Sequence, residues 1–482
     1  MVDSAPLLPQ NSDLESNSVI KACQKSSGNL LQAILIAFAW VFDGQQSFIT
    51  IFTDAKPKWK CLDPTDQICK QTSSPCGLQP GSWTWASPAN TSILSEWGFQ
   101  CANTVLSSLP SSSFFAGCLV GGLLLSTLAD SVLGRKMLLF LSCLIMSLAG
   151  SMTAISPNIW VYSALKFVSG FGRASVGTAA LVLSMEIVDK RWREKIGVLG
   201  FAFYMLGFLT LPIMAYISQS QNFSWRSLYL WTNIPSFCYT VTIYNFVPES
   251  PRWLTVYGRN KTCFSELHDD LNNGADKDNN FFASMKILCT TRRALWRLIS
   301  VMIASLGISF VYFGMPFSAG NLGTNLYLSV ALNALSELPA SLLTLLLTVT
   351  MKRRVSILIL TTLSGLFSLA CALDVAGAAG KIQLAVEVIS YCSACTAFDV
   401  LLIYSAEIFP TTIRNTAIGL VREAGLLAGV VAPILATEGQ NNRFWSFGFF
   451  GLVIMLCGLS CLCLPETKGR ELTDHIEEEA NN

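Results

Sequence analysis

The sequence predicts an all-α membrane protein of twelve transmembrane helices arranged as two six-helix bundles. Three observations carry that prediction. Of 482 residues, 52% are hydrophobic and only 13% charged, about half the charged share of a soluble domain. Twelve apolar stretches are each long enough to cross a bilayer as a helix, which takes ~20 residues. Lys and Arg gather in alternate loops, the mark of a chain threaded repeatedly through a membrane. The same composition excludes a disordered chain, a nucleic-acid-binding protein and an ordinary soluble enzyme. The net charge of +1 directs no bulk field at an acidic or basic partner. Histidine occurs only at His268 and His475, both in polar stretches. A histidine metal site and a histidine proton relay are therefore not expected, and no metal or cofactor is. The lipid bilayer is the first partner, and the chain reads as a monomer.

Residues 1–28 are polar and read as a cytosolic tail rather than a cleavable signal peptide. The predicted spans lie near 29–52, 111–130, 137–156, 158–182, 196–218, 227–247, 295–318, 325–350, 355–373, 381–405, 415–437 and 444–464. A central cytosolic loop, 255–293, separates a first half, 29–254, from a second, 294–464, and a cytosolic tail follows over 465–482. Loops after even-numbered helices hold 18 Lys and Arg residues. The short loops on the other side hold Arg226, Lys381 and Arg443, so both termini are expected in the cytosol.

The long loop 53–110 then faces away from the cytosol. It contains Cys61, Cys69, Cys76 and Cys101. An even count in an oxidising compartment suggests two disulfides, with three possible pairings. Asn90-Thr91-Ser92 on the same side is a glycosylation sequon.

The halves repeat charged motifs at their cytosolic helix ends. Helix 2 is followed by Asp130-Ser131-Val132-Leu133-Gly134-Arg135-Lys136, and the matching place after helix 8 holds the basic remnant Met351-Lys352-Arg353-Arg354. Glu186 precedes Arg191 and Arg193 after helix 4, and Glu407 precedes Arg414 after helix 10. Pro248-Glu249-Ser250-Pro251-Arg252-Trp253 follows helix 6, and Pro465-Glu466-Thr467-Lys468-Gly469 follows helix 12. Carboxylate and arginine at helix ends on one face are suited to brace neighbouring helices in one gate conformation and release them in another.

Charge at membrane depth costs roughly 2.5–3.5 kcal/mol on insertion scales, so each such residue is a functional candidate. Asp43 on helix 1 and Lys166 on helix 4 lie at similar depth, which makes a buried ion pair feasible. Arg173 sits two turns deeper, suited to a carboxylate or to a substrate's anionic end. In the second half Glu337, Glu387, Asp399, Arg422 and Glu423 lie in or near spans. A quaternary ammonium donates no hydrogen bond, so its recognition needs aromatic faces and a carboxylate. Tyr312, Phe313, Tyr327 and Tyr391 supply candidate faces; Glu337, Glu387 and Glu423 supply candidate charge. Asp399, near the cytosolic end of helix 10, reads as a gate residue.

The repeated motifs resemble those of the major facilitator superfamily, whose carriers are built from two six-helix halves with nested inverted repeats. Asp130 to Lys136 is similar to its D-x-x-G-R-K loop with one extra residue. Pro248–Trp253, Glu407–Arg414 and Pro465–Gly469 resemble motifs shared by sugar porters and organic cation transporters. The cysteine-bearing loop, Tyr312-Phe313-Gly314-Met315, Asn325-Leu326-Tyr327-Leu328 and Glu337-Leu338-Pro339 are similar to the organic cation/carnitine transporters. Phe42-Asp43-Gly44-Gln45-Gln46 resembles their plant branch. The resemblance implies a secondary carrier of organic cations or carnitine, coupled to protons, with a small organic cation or zwitterion as substrate. Lys166 opens a stretch similar to the superfamily's R-x-x-x-G-x-G, which implies a proton-coupling role for Asp43 with Lys166. Where animal relatives carry an acidic or arginine side chain seven residues before a helix 11 proline, this chain has Leu426, with Arg422 and Glu423 a turn earlier. A sugar-porter-like carrier of neutral or anionic solutes is the second reading, and a non-transporting receptor is disfavoured by short tails. Asp3-Ser4-Ala5-Pro6-Leu7-Leu8 fits an acidic dileucine signal, which favours the vacuolar membrane over the plasma membrane.

Overall fold

Apolar sequence that must hide every backbone amide from lipid forms helices, and the described residues form twelve rods. The computed structural model describes residues 28–63, 69, 75–79, 81–131, 134–250, 253–254, 285, 288, 290–373 and 380–468. The dileucine stretch, most of the central loop and the end of the C-terminal tail lie outside the described residues.

Helix α1 runs in three consecutive segments, Gly28–Ala37, Ala39–Phe48 and Thr50–Thr53. Then come α2 (Thr104–Ser131), α3 (Arg135–Thr153), α4 (Ile159–Arg173, continuing as Val176–Ile187), α5 (Lys190–Ser220) and α6 (Trp225–Phe246). The second half holds α7 (Arg292–Ser318), α8 (Leu326–Thr350), α9 (Arg353–Ala372), α10 (Gly380–Ile408), α11 (Thr411–Glu438) and α12 (Phe447–Gly458). Among the described residues, eleven helices are long and apolar enough to cross a membrane. The exception is α6, 22 residues long, whose buried face carries Thr232, Asn233, Ser236 and Thr240. Thr232, Asn233 and Thr240 are bonded inside the bundle. Gln46 of α1 donates to Asn233 Oδ1 at 3.1 Å, and Asn233 Nδ2 donates to the Tyr229 carbonyl at 2.9 Å.

Within the first half, α2 and α4 meet backbone to backbone. A Cβ at Gly117 would lie 2.0 Å from the Phe167 carbonyl oxygen, and one at Gly170 would lie 2.0 Å from that of Phe114. Small residues permit this closeness, and packing contact holds helices together where lipid offers no hydrophobic contrast. The halves join along α2 against α11 and α5 against α8.

The loop between α1 and α2 is stapled. Strands β1 (Trp59–Cys61) and β2 (Trp83–Trp85) pair antiparallel, and the disulfides are Cys61–Cys69 and Cys76–Cys101, which selects one of the three pairings. Asn90 lies exposed in a 3₁₀ turn, Ala89–Thr91. The loop is docked on α6, where Arg226 Nη1 donates to Glu96 Oε1 at 2.6 Å and Trp225 Nε1 to Glu96 Oε2 at 2.6 Å.

Candidate functional site

Each half carries the same brace on its Lys/Arg-rich face. Glu249 Oε1 accepts from the Lys136 amide at 2.9 Å, at the first turn of α3. Glu466 Oε1 accepts from the Arg353 amide at 2.9 Å, at the first turn of α9. A carboxylate there satisfies an otherwise orphaned helix amide and meets the positive end of the helix dipole. Gly134 makes room for it: its φ is +75°, and a Cβ would approach Glu249 Oε2 to 2.6 Å. A second layer repeats too. Ser250 donates to Glu186, and Thr467 Oγ1 donates to Glu407 Oε2 at 2.6 Å. In the second half Arg353 adds a salt bridge to Glu407 at 3.0 Å.

These contacts correct the expected pairing of Glu186 with Arg193 and of Glu407 with Arg414. Arg193 Nε instead donates to the Met185 carbonyl at 3.1 Å, and Arg414 Nε to the Phe409 carbonyl at 3.1 Å. Arg191 is exposed. Seven residues is two turns of helix, but a chain reversal at Val188 and at Pro410 separates each glutamate from its arginine. The side chain of Asp130 lies outside the described residues. Arg353, read from sequence as a basic remnant, is the cation that completes the second brace.

Asp43 forms its ion pair with Arg173, not with Lys166: Arg173 Nε donates to Asp43 Oδ1. Asp43 is turned toward the deeper part of α4, where its Oδ2 lies 3.5 Å from the Cβ position at Gly177. Lys166 is wholly buried, its ammonium 4.5 Å from the Phe114 ring centroid and 5.4 Å from that of Tyr229.

In the second half a carboxylate is ringed by aromatics. Tyr391 donates to Glu337 Oε1 at 3.2 Å, and Tyr312 does so at 3.3 Å. The two tyrosines stack at 5.9 Å with a 19° interplanar angle, and Phe398 stacks on the other side of Tyr312 at 5.3 Å. Sequence reasoning missed Phe398, although it stands two helical turns from Tyr391 and so shares its face. Phe313 packs on Tyr312 at 5.1 Å and on Phe115 of the first half at 4.8 Å.

The other candidates fall elsewhere. Glu387, fully buried, accepts from Asn333 Nδ2 at 2.8 Å, and its Oε2 has no hydrogen-bond partner among the described residues. Asp399 accepts from Thr344 of α8 at 3.4 Å, inside the second half. Glu423 faces α2, where a Cβ at Gly122 would lie 2.0 Å from its Oε1. Tyr327 belongs to the contact between halves: it stacks on Phe52 at 5.7 Å and 5°, and its hydroxyl bonds Gln219 of α5. With Phe48–Phe317 at 6.2 Å, these contacts join the halves toward the face that carries the disulfide loop.

The family described as Sugar (and other) transporter matches residues 65–479. Organic cation/carnitine transporter 2 of Arabidopsis thaliana is 46% identical over 508 residues, covering 98% of this chain and 96% of that one. Organic cation/carnitine transporter 3 of the same plant is 45% identical, covering 99% and 98%. In fold the chain is similar to the D-xylose-proton symporter, with a TM-score of 0.67, 17% identity and coverage of 92% of this chain and 99% of that one. Two braced six-helix halves closed against each other around buried charges define a multi-pass membrane carrier of the major facilitator fold, not an enzyme. The chain belongs to the sugar (and other) transporter family, in the branch of the organic cation/carnitine transporters.

Proposed function

We propose that the protein carries small organic cations or carnitine-like zwitterions by alternating access, driven by the proton gradient. The observation that carries this reading is Glu337 held between Tyr312 and Tyr391. A quaternary ammonium seated there would exchange its water for ring faces, each cation–π contact giving ~0.5–2 kcal/mol, with the carboxylate as counter-charge. Phe313 and Phe398 extend the aromatic wall; Tyr327 and Glu423 lie where the halves meet, and Glu387 is a further buried carboxylate within the second half. Asp43 is the proton-coupling carboxylate, with Arg173 as its immediate partner and Lys166 as a second buried cation on the same helix. A carboxylate whose counter-ion approaches and withdraws changes its proton affinity, as coupling requires. The glutamate braces, with Arg353, hold each half rigid while the halves rock.

The names of the plant relatives, organic cation/carnitine transporters, support the substrate class. The second reading, a carrier of neutral or anionic solutes, draws on Leu426 at the helix 11 position that is charged in animal relatives. Labelled carnitine and tetraethylammonium uptake in vesicles, competed with hexoses, separates the two. Glu337→Gln is expected to reduce cation uptake while the protein still reaches the membrane; unchanged uptake, or competition by hexoses alone, defeats the assignment. Residence in the vacuolar membrane follows from the dileucine stretch, with the plasma membrane as the alternative. Leu7→Ala with Leu8→Ala would then move a fluorescent fusion to the plasma membrane. Glycosylation at Asn90 follows from the sequon, and Asn90→Gln would remove a glycosidase-sensitive shift in gel mobility.

A further inference from the structure

One residue past the end of α1, and outside the proton-coupling and substrate groups, lies a second polar network. Tyr162 of α4 donates its hydroxyl to Asp54 Oδ1 at 2.8 Å, and Thr53 Oγ1 donates to the same oxygen at 2.8 Å. The Tyr162 and Tyr229 hydroxyls are 2.7 Å apart. Among the described residues, Asp54 Oδ2 is buried without a hydrogen-bond partner, and so is Lys166 Nζ, which rests on the Tyr229 ring. The other charged groups facing this network are Glu96 of the disulfide loop and Arg226 of α6, already bonded to each other. Trp225 closes the side, its ring centroid 5.4 Å from that of Tyr162 in an edge-to-face contact. From the Phe114 side the titratable group facing Lys166, among the described residues, is the Cys118 thiol of α2.

We propose that Asp54 is a proton-binding group on the disulfide-loop side whose charge state sets how readily the carrier opens there. This goes beyond the transport reading and does not depend on Asp43. Ionised Asp54 is the counter-charge of Lys166 and ties the ends of α1, α4 and α6 together. Hydronium gives a proton to Oδ2: the new O–H bond forms as the hydronium O–H bond breaks, leaving water, and no other covalent bond changes. Oδ1 goes on accepting from Tyr162 and Thr53, more weakly because the carboxyl is now neutral. Lys166 is left buried without its counter-charge, which costs free energy in the closed arrangement and favours opening. Burial pushes the Asp54 carboxyl up to about 6, while the Thr53 and Tyr162 hydrogen bonds and the Lys166 charge pull it down. Opening is therefore favoured as pH falls through that value and disfavoured above it.

The test uses full-length protein in lipid nanodiscs with spin labels at Ser220→Cys and Asn441→Cys. These exposed positions lie one in each half on the loop side, and the background has exposed Cys238 and Cys463 replaced. Distances are read by pulsed electron resonance at about pH 5 and about pH 8, which bracket the titration. The expected result is a longer separation in acid, by several ångström. Asp54→Asn should give the acid-like distance at both pH values, and Asp54→Glu should restore the pH response. Tyr162→Phe removes a hydrogen bond to the ionised form, so its midpoint should move above that of the unmodified protein. A pH response that survives in Asp54→Asn, or none in the parent protein, overturns the proposal. If Asp54→Asn does not fold, an unshifted midpoint in Tyr162→Phe does so instead. No substrate is present, so these outcomes are separate from failure of the transport reading.

Discussion

Arg353 donates its backbone amide to Glu466 across 2.9 Å, and the two residues stand 113 positions apart, the same spacing and distance that relate Lys136 to Glu249 in the first half. The two braces are one device present twice. Glu466→Ala should remove a helix cap worth about 1 kcal/mol and also loosen the Thr467–Glu407 contact beside it. Purified protein should melt a few degrees lower, and Glu466→Gln should recover part of the loss. Equal melting of all three would show that the cap contributes nothing.

The Asp43–Arg173 pair makes a sharper prediction. Arg173→Gln leaves a buried carboxylate without its cation, a change that costs about 3–5 kcal/mol in buried pairs. Adding Asp43→Asn should restore much of that stability, seen as recovered melting temperature and membrane yield. Neither variant should accumulate substrate against a gradient in response to a pH step, because the proposed coupling runs through the Asp43–Arg173 pair. Accumulation by the double variant would move coupling to another group.

Around Glu337, charge and ring should separate. Tyr391→Phe keeps the ring and loses a 3.2 Å hydrogen bond, so the apparent affinity for tetraethylammonium should change less than threefold. Tyr391→Leu loses the face and should weaken it about tenfold, within the range of one cation–π contact. A reversed order would mean that the tyrosine serves through its hydroxyl alone.

Gly170→Ala tests the α2–α4 contact. The added methyl meets the Phe114 carbonyl backbone at 2.0 Å, and backbone cannot turn aside as a side chain can. A loss of roughly 1–3 kcal/mol is expected, with reduced yield of folded protein. Gly419→Ala, where nothing lies within 4 Å, is the matched control and should be neutral.

The helices, their pairing into halves and the stapled loop were legible in the sequence, because lipid dictates hydropathy and because the motifs recur. Asp43, Glu337, Tyr312 and Tyr391 were legible as site candidates for a related reason: polar or aromatic groups at depth need partners. The partners themselves were not. Equal depth pointed from Asp43 to Lys166, but the partner is Arg173, two turns deeper on the same face of α4, because a long arginine side chain reaches along the helix where a depth count does not. Phe398 and Arg353 were hidden by ordinary surroundings: an aromatic in an apolar helix, and an arginine in a basic loop. Asp54 was hidden at a helix end, where a carboxylate normally faces water.

The polar face of α6 has a consequence for how the chain is made. A segment carrying Asn233 and Arg226 is a poor substrate for the channel that releases nascent helices into lipid one at a time. Asn233 finds its complement in Gln46 and in the notch at Gly150, both translated earlier. The sixth helix is thus expected to leave the ribosome-bound channel as a guest of α1 and α3, so that a lesion in either would surface first as a biosynthetic defect, in a protein whose finished transport machinery is intact.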